Sequence, residues 1–390
     1  MRIGIVIEIF YPTINGVLTS SVNLAHNLMD QGHEVVIIAS SWRQSTVTMI
    51  DDRIPVRYVP AYSSWVYPGL RNTLPWSRFM KAMVRRERLD LVHITGPWLL
   101  TRAAVRAAGE LNLPVVHTFH TMLHEPTYIV YMFRTKYLVP LIRAIAWRYY
   151  SLFVRHAAIN TGPSRMVVHQ LQRHFPRSDV RYVSNGVDLS AFDAPQSRRD
   201  FKKQYPGHTA STLIFVGRLG DEKSVDQLID AAALVAPEHP DFRLFIVGDG
   251  PGRTAYEAQV RHLGLQQQVI LVGRVPHRDL LTSGLLHYSR AFVTASTTEN
   301  QPMTVIEATC CGIPSIVADV RGITELVEHN GITFAADDVA DLAAAMKRMI
   351  GDDALHAACS LACEGMRRRY DGAAVARQFT KIYQDALTRV

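Results

Sequence analysis

The feature that most constrains this chain is a rhythm that runs through it twice. Short apolar runs rich in Val and Ile alternate with helix-length segments, first as IGIVIEIF, a helix from about Thr19 to Gln31, EVVIIAS, LDLVHIT, PVVHTFH and AAINTG. Near Ser184 the pattern restarts as TLIFVGR, a helix around 224–236, RLFIVGDG, VILVGRV, AFVTAS and PSIVADV. Runs of this kind, buried on both faces, are strands of parallel sheets joined by crossover helices. Two such sets predict two doubly wound α/β domains. A chain of 390 residues that is 48% hydrophobic is also too long for one ordinary core. Gly186, Pro195 and the charged stretch Arg198-Arg199-Asp200 place the joint near Asn185–Pro195, giving domains 1–188 and 189–373.

Several classes are disfavoured. MRIGIVIEIF is short, broken by Glu8 and ended by Pro12, so it reads as a buried first strand and not a secretory leader. No apolar stretch is long enough for a membrane-spanning helix, and a cytoplasmic protein is expected. The four cysteines, Cys310, Cys311, Cys359 and Cys363, form no C-x-x-C pair and read as free thiols. Charge is uneven. Residues 1–188 carry 21 Lys+Arg against 11 Asp+Glu, net +10, while 189–390 carry 21 against 24, net −3. A one-sided basic field favours an anionic partner, whether a membrane surface, a nucleic acid or a polyanionic substrate.

Ligands of doubly wound sheets sit at the carboxyl ends of strands, which directs attention to the residues after each run. Arg218 leaves one strand within Gly217-Arg218-Leu219, and Lys223 follows at the opening of the next helix. Two cations at such a turn suit a diphosphate, helped by the helix N-terminus; the plain alternative is an exposed Arg and a surface Lys. Gly248-Asp249-Gly250-Pro251 is a tight turn that can receive a base or simply turn the chain. In Ser296–Ala308 a strand enters a polar loop and a helix starts near Pro302. The N–H groups of Met303, Thr304 and Val305 are then available to a phosphate. Glu299 precedes this helix and Glu307 lies on it, inside the apolar run VIEATCCGIP. A carboxylate buried there needs a partner. One of the two acids can hold sugar hydroxyls while the other holds a ribose diol.

In the first half, Tyr11–Val17 follows strand one, and Gly16 lets backbone approach a ligand. The segment lacks the G-x-G-x-x-G spacing of dinucleotide sites. His117 and His120 flank the end of PVVHTFHT. His120 is favoured for function because it ends the strand; a purely structural histidine is an equal alternative. His124-Glu125 lacks the H-E-x-x-H spacing, so no metal site is expected.

Taken together, FYPTINGV, TFHT, SNGVD, the GRL…EK segment, GDGP and the Glu299…Glu307 signature resemble the retaining glycosyltransferases of family four, over nearly the whole chain. The resemblance implies the GT-B fold, two Rossmann-like doubly wound domains facing a central cleft, with the last helix (about 374–390) packing back on the first domain. It implies a nucleotide-sugar donor, UDP-glucose favoured, held mainly by the second domain. Arg218 and Lys223 would neutralise the diphosphate, Glu307 would bind the ribose and Glu299 the sugar hydroxyls. Gly248, Gly250, Pro251, Arg274 and Val275 would frame the base. Gly16 would close over the phosphates, and His120 would lie near the transferred sugar. Asn15-Gly16 stands where many members have Gly-Gly; it occurs in members acting on lipid acceptors. No D-x-D-like motif is present in these segments, so transfer with retention and without metal or other cofactor is expected.

The acceptor is read from the basic first half. Residues 65–88 interleave Trp65, Tyr67, Trp76 and Phe79 with six basic residues, Arg85 and Arg86 among them. Residues 128–155 mix aromatics with Arg134, Lys136, Arg143, Arg148 and Arg155. Such mixtures suit a helix at an anionic lipid interface; the alternative is a core-packed helix with a solvated basic face. No nucleic-acid motif accompanies the charge, so nucleic acid is not an expected partner. The expectation is a glycosyltransferase attached peripherally to the inner face of the cell membrane, with a diacylglycerol-type acceptor. The alternatives are a GDP-mannose-dependent phosphatidylinositol-type mannosyltransferase, a soluble polysaccharide-assembly enzyme, or a non-catalytic sugar-nucleotide sensor.

Overall fold

The structure is a computed structural model that describes residues 1–390 except 12–14, 41–46, 64–70, 74–76, 127–128, 131–135, 194, 196 and 390. The chain divides into two compact units, Met1–Val187 with Gly372–Val390, and Asp188–Asp371.

The first unit contains β1 (Arg2–Ile7), β2 (Glu34–Ser40), β3 (Met49–Ile50), β4 (Ile54–Val59), β5 (Ala61–Ser63), β6 (Arg71–Thr73), β7 (Leu91–Ile94), β8 (Val115–Thr118), β9 (Ile159–Gly162) and β10 (Val180–Tyr182). Eight of them form a sheet in the order β10-β9-β8-β7-β1-β2-β4-β3; β5 and β6 pair separately. The long central ladders are parallel, with Ile3 opposite Val35 and opposite Leu91, and β3 runs antiparallel to β4. Period-two alternation sends side chains to both faces. Ile3, Ile5 and Ile7 enter one core with the helix Gly16–Asp30, while Val6, Val36 and Ile38 enter another with Leu100, Ala104 and Ala108. That two-sided burial explains why these strands read as continuous apolar runs.

The chain's last helix, Gly372–Leu387, belongs to this unit. Val375, Ala376, Phe379, Ile382, Tyr383 and Ala386 form one buried stripe at helical spacing. At about 1.5–3 kcal/mol per large apolar side chain, this stripe contributes on the order of 10 kcal/mol before entropy is counted. Polar contacts fix its register: the Gln31 side chain donates to the Ala373 carbonyl at 3.0 Å, and Arg181 pairs with Asp385 at 2.5 Å.

The second unit contains β11 (Thr212–Val216), β12 (Arg243–Val247), β13 (Val269–Gly273), β14 (Ala291–Thr294), β15 (Ser315–Ala318) and β16 (Gly331–Phe334). Their order, β13-β12-β11-β14-β15-β16, is parallel throughout. The strand order reverses between β11 and β14, which is where a doubly wound sheet opens its ligand crevice. In the first unit the same reversal falls between β1 and β7.

Candidate active site

At the reversal point of the second unit, β11 delivers Gly217-Arg218 and β14 delivers Ser296–Glu299. After Arg218 the chain makes a 3-10 turn, Asp221–Lys223, and Ser224 adopts a left-handed conformation (φ 48°) before the helix Val225–Val235. Lys223 therefore ends this short turn and does not open the helix. The sequence reading left both cations available to a diphosphate. In the structure each has a carboxylate: Arg218 pairs with Glu222 at 2.5 Å, and Lys223 pairs with Glu299. Ser296 Oγ bridges the two strand ends, reaching Glu299 Oε1 at 3.1 Å and the Glu222 carbonyl at 3.2 Å. Glu222 was given no role from sequence; the i,i+4 spacing to Arg218 was the available signal.

The loop after β12 packs directly on the loop after β11. Gly248 has φ +143°, and a Cβ there would strike the Gly217 carbonyl; a Cβ at Gly250 would meet the Leu219 oxygen at 2.5 Å. The two loops also exchange backbone bonds, Gly217 N to Val247 O and Leu219 N to Asp249 O, both 3.0 Å. These glycines thus have a packing reason besides any ligand. Pro251 is exposed and precedes the helix Arg253–His262.

Pro302, in extended conformation, is the cap residue of the helix Met303–Cys310, so the helix starts one residue after it. The first-turn amides of Met303, Thr304 and Val305 have no acceptor within the helix by geometry. Glu307 is 2% exposed on this helix. The partner that its burial demanded is His277, whose Nε2 lies 2.8 Å from Glu307 Oε1. Burial alone would lower the His277 pKa, but the bond to Glu307 and its charge outweigh that and raise it. His277 opens the helix His277–Thr282, directly after exposed Arg274 and half-buried Val275. It ties the segment expected to frame the base to the carboxylate expected to hold the ribose. Sequence reasoning missed it, although a buried acid needing a partner and a His three residues past Arg274 were both legible.

In the first unit, Asn15 Oδ1 accepts the Leu18 N–H at 2.8 Å, and Gly16 is the exposed first residue of its helix. Asn15 thus has a local reason to be Asn: it is an N-cap. Half-buried His120 lines a cavity of about 20 Å³ with Ser20, His93, Thr118 and Asn185, room for a water molecule. Burial, then the neighbouring His117, lowers the His120 pKa to about 4, so its ring is neutral near pH 7. His117 is fully buried against Asn160 at 3.2 Å, a structural histidine. At the reversal point of this unit, Glu8 is 3% exposed, and its Oε1 accepts the Thr101 N–H at 2.8 Å in the first turn of the helix Leu99–Glu110. Burial pushes its pKa up to about 8, against the bonds from Thr101. From sequence, Glu8 registered only as a break in an apolar run.

Of the residues expected at a lipid surface, Trp65, Trp76 and Arg134 lie outside the described residues. Arg85 and Arg86 are exposed on the helix Ser77–Arg86. Lys136, Arg143 and Arg148 are exposed on or beside the helix Val139–Val154. That helix buries Ala146, Tyr150, Phe153 and Val154 and exposes Leu141 and Ile145 by 58% and 57%. It is therefore core-packed on one face and apolar as well as basic on the other. Among the described residues no helix is long and apolar enough to cross a membrane, and no group of three or more His, Cys, Asp or Glu is placed to hold a metal ion. All four cysteines are free thiols.

Two doubly wound units, the second with cations and carboxylates gathered at its strand reversal, define a GT-B glycosyltransferase. The family model described as Glycosyltransferase Family 4 matches residues 14–191, and Glycosyl transferases group 1 matches residues 196–363. The chain belongs to glycosyltransferase family four and moves a sugar from a nucleotide sugar. It is 27% identical over 355 residues to an alpha-monoglucosyldiacylglycerol synthase of Acholeplasma laidlawii, covering 86% of this chain and 85% of the relative. It is 32% identical over 330 residues to a D-inositol 3-phosphate glycosyltransferase of Jonesia denitrificans, covering 79% and 76%. In fold it matches Anabaena HepE, solved with UDP and glucose, at a TM-score of 0.78 and 19% identity over 98% of this chain and 99% of that one.

Proposed function

We propose that this enzyme transfers glucose from UDP-glucose to a membrane lipid of the diacylglycerol type, with retention and without a metal ion, while attached peripherally to the inner face of the cell membrane. The leaving group is a nucleoside diphosphate, so the transition state separates positive charge on the sugar ring from negative charge on phosphate. On this reading Arg218, Lys223 and the first-turn amides of Met303–Val305 meet that developing charge. Donor binding on this reading exchanges partners: the diphosphate takes Arg218 and Lys223 from Glu222 and Glu299, and Glu299 turns to the sugar hydroxyls. Glu307, oriented by His277, takes the ribose, and Gly248, Gly250, Pro251, Arg274 and Val275 frame the base. Gly16 and His120 keep their roles toward phosphate and sugar by family resemblance; a neutral His120 acts there through hydrogen bonds. The acceptor hydroxyl attacks on the face that the leaving group departs from, and a donor phosphate oxygen takes its proton.

The observation that carries the lipid reading is the outward face of the helix Val139–Val154, where Leu141 and Ile145 stand beside Arg148. The Acholeplasma relative supports a diacylglycerol acceptor and the Jonesia relative a soluble inositol phosphate. A sugar-nucleotide sensor is disfavoured, because Arg218, Lys223 and Glu299 are all retained. The test is transfer from a panel of UDP- and GDP-sugars in EDTA, with and without anionic vesicles containing diacylglycerol. Transfer from UDP-glucose to lipid that needs vesicles and survives EDTA is expected. Turnover on inositol phosphate without vesicles would overturn the lipid assignment, and loss in EDTA would overturn the metal-independent one.

A further inference from the structure

On the first unit, the helices Val139–Val154 and Arg165–His174 meet at a stacked pair. The Trp147 and His174 rings lie 3.6 Å apart at 6°, backed by His124 with its centroid 4.2 Å from Trp147. Beside this stack is a recess of about 290 Å³ lined by Trp147, Arg148, Ser151, Arg155, His174 and Phe175. Among the described residues neither Arg148 nor Arg155 forms an ion pair, and residues 126–178 contain eight Lys+Arg and no Asp or Glu. His174 Nδ1 bonds the Gln170 carbonyl at 2.9 Å, which leaves Nε2 for a ligand. The recess is therefore a preformed cationic socket with an aromatic wall.

Its place on the helix identifies what fills it. At 100° per residue, Leu138, Leu141, Ile145, Arg148 and Arg155 fall on one stripe about 100° wide. Leu138, Leu141 and Ile145 are exposed by 50%, 58% and 57%. The buried residues Ala146, Tyr150, Phe153 and Val154 lie on the opposite side. Along the axis the stripe is apolar first and cationic after, with Arg148 about 4.5 Å and Arg155 about 15 Å beyond Ile145. Free phosphate would use the two arginines and leave the apolar half uncovered. A molecule whose phosphate adjoins acyl chain satisfies both halves.

We propose that this recess is a discrete binding site for the phosphate group of an anionic phospholipid, with the acyl chain lying along Leu141 and Ile145. The site deepens the membrane reading above: it makes lipid recognition stoichiometric and headgroup-specific, in addition to a diffuse attraction of net charge.

The test uses the full-length enzyme and short-chain phosphatidylglycerol below its micelle concentration, read by Trp147 fluorescence as the difference between wild type and Trp147→Phe. Saturable binding is expected, weakened about tenfold or more in Arg148→Gln/Arg155→Gln. It is expected to be kept in Arg173→Gln/Arg177→Gln, which removes equal charge from exposed positions of the neighbouring segment. Equal loss in both double variants would reduce the effect to net charge and overturn the site. A response to inorganic phosphate as strong as to the lipid, or to short-chain diacylglycerol as strong as to phosphatidylglycerol, would overturn the occupant. Sedimentation with phosphatidylglycerol vesicles tests the membrane reading separately: monomer binding without vesicle binding would sink that reading and leave the site standing.

Discussion

At the residue scale, the second unit gathers two ion pairs at neighbouring strand ends. Arg218→Ala is expected to cut kcat by about a hundredfold or more, as removal of a preorganised oxyanion donor does. Because Arg218 is partly exposed, thermal stability should change little. Turnover within a few-fold of wild type would remove Arg218 from the chemistry. Glu8 makes a different prediction. Its pKa rises from 4.5 to about 8 on folding, through burial and against its bonds from Thr101. The folded state then holds this proton more tightly, so the group's stabilising contribution is complete below pH 4.5 and is lost as pH rises through 8. Glu8→Gln keeps an acceptor for the Thr101 amide and removes the titration. Its melting temperature relative to wild type is expected to climb by about 3 °C or more between pH 5 and 8. Parallel melting curves across that range would show that Glu8 titrates normally.

At the scale of elements, the parallel strands were legible because both faces of each sheet are covered, so the strands carry unbroken apolar runs. Ile3, Ile5 and Ile7 serve one core and Val6 the other. The helix starts were legible to within a few residues: the first was expected from about Thr19 and begins at Gly16, and Pro302 stands one residue before Met303. What was not legible is pairing across the fold. Lys223 and Glu299 are 76 residues apart, and His277 and Glu307 are 30 apart. No periodicity links positions that meet only when separate strands are laid side by side. The last helix shows the same limit. Its amphipathic stripe is in the sequence, but its polar anchor is not: the Tyr383 hydroxyl lies 2.8 Å from His93 Nδ1, and His93 Nε2 lies 2.7 Å from Thr118 Oγ1. Tyr383→Phe leaves the buried His93 nitrogen without its partner and is expected to cost about 1–3 kcal/mol, measured by urea unfolding. An unchanged unfolding midpoint would mean that the apolar stripe alone secures this helix.

At the scale of the whole molecule, the formal charge is divided, with the net +7 arising from a strongly basic first half and a mildly acidic second half. The side chains proposed to meet the sugar nucleotide follow a different arithmetic. Arg218 with Glu222 and Lys223 with Glu299 are two cations and two carboxylates that sum to zero. Beyond about 10 Å at ordinary ionic strength such a quartet projects almost no field. On the proposed donor site these four side chains therefore exert no long-range pull on a nucleotide sugar, and their positive charge becomes available by breaking a pair on contact. On that reading donor association should depend on salt far less than the approach of the basic half to an anionic surface, which slows steeply as salt is added. On the proposed function, one chain thus combines two kinds of capture, a long-range one for an anionic surface and a contact-range one for the small molecule it consumes.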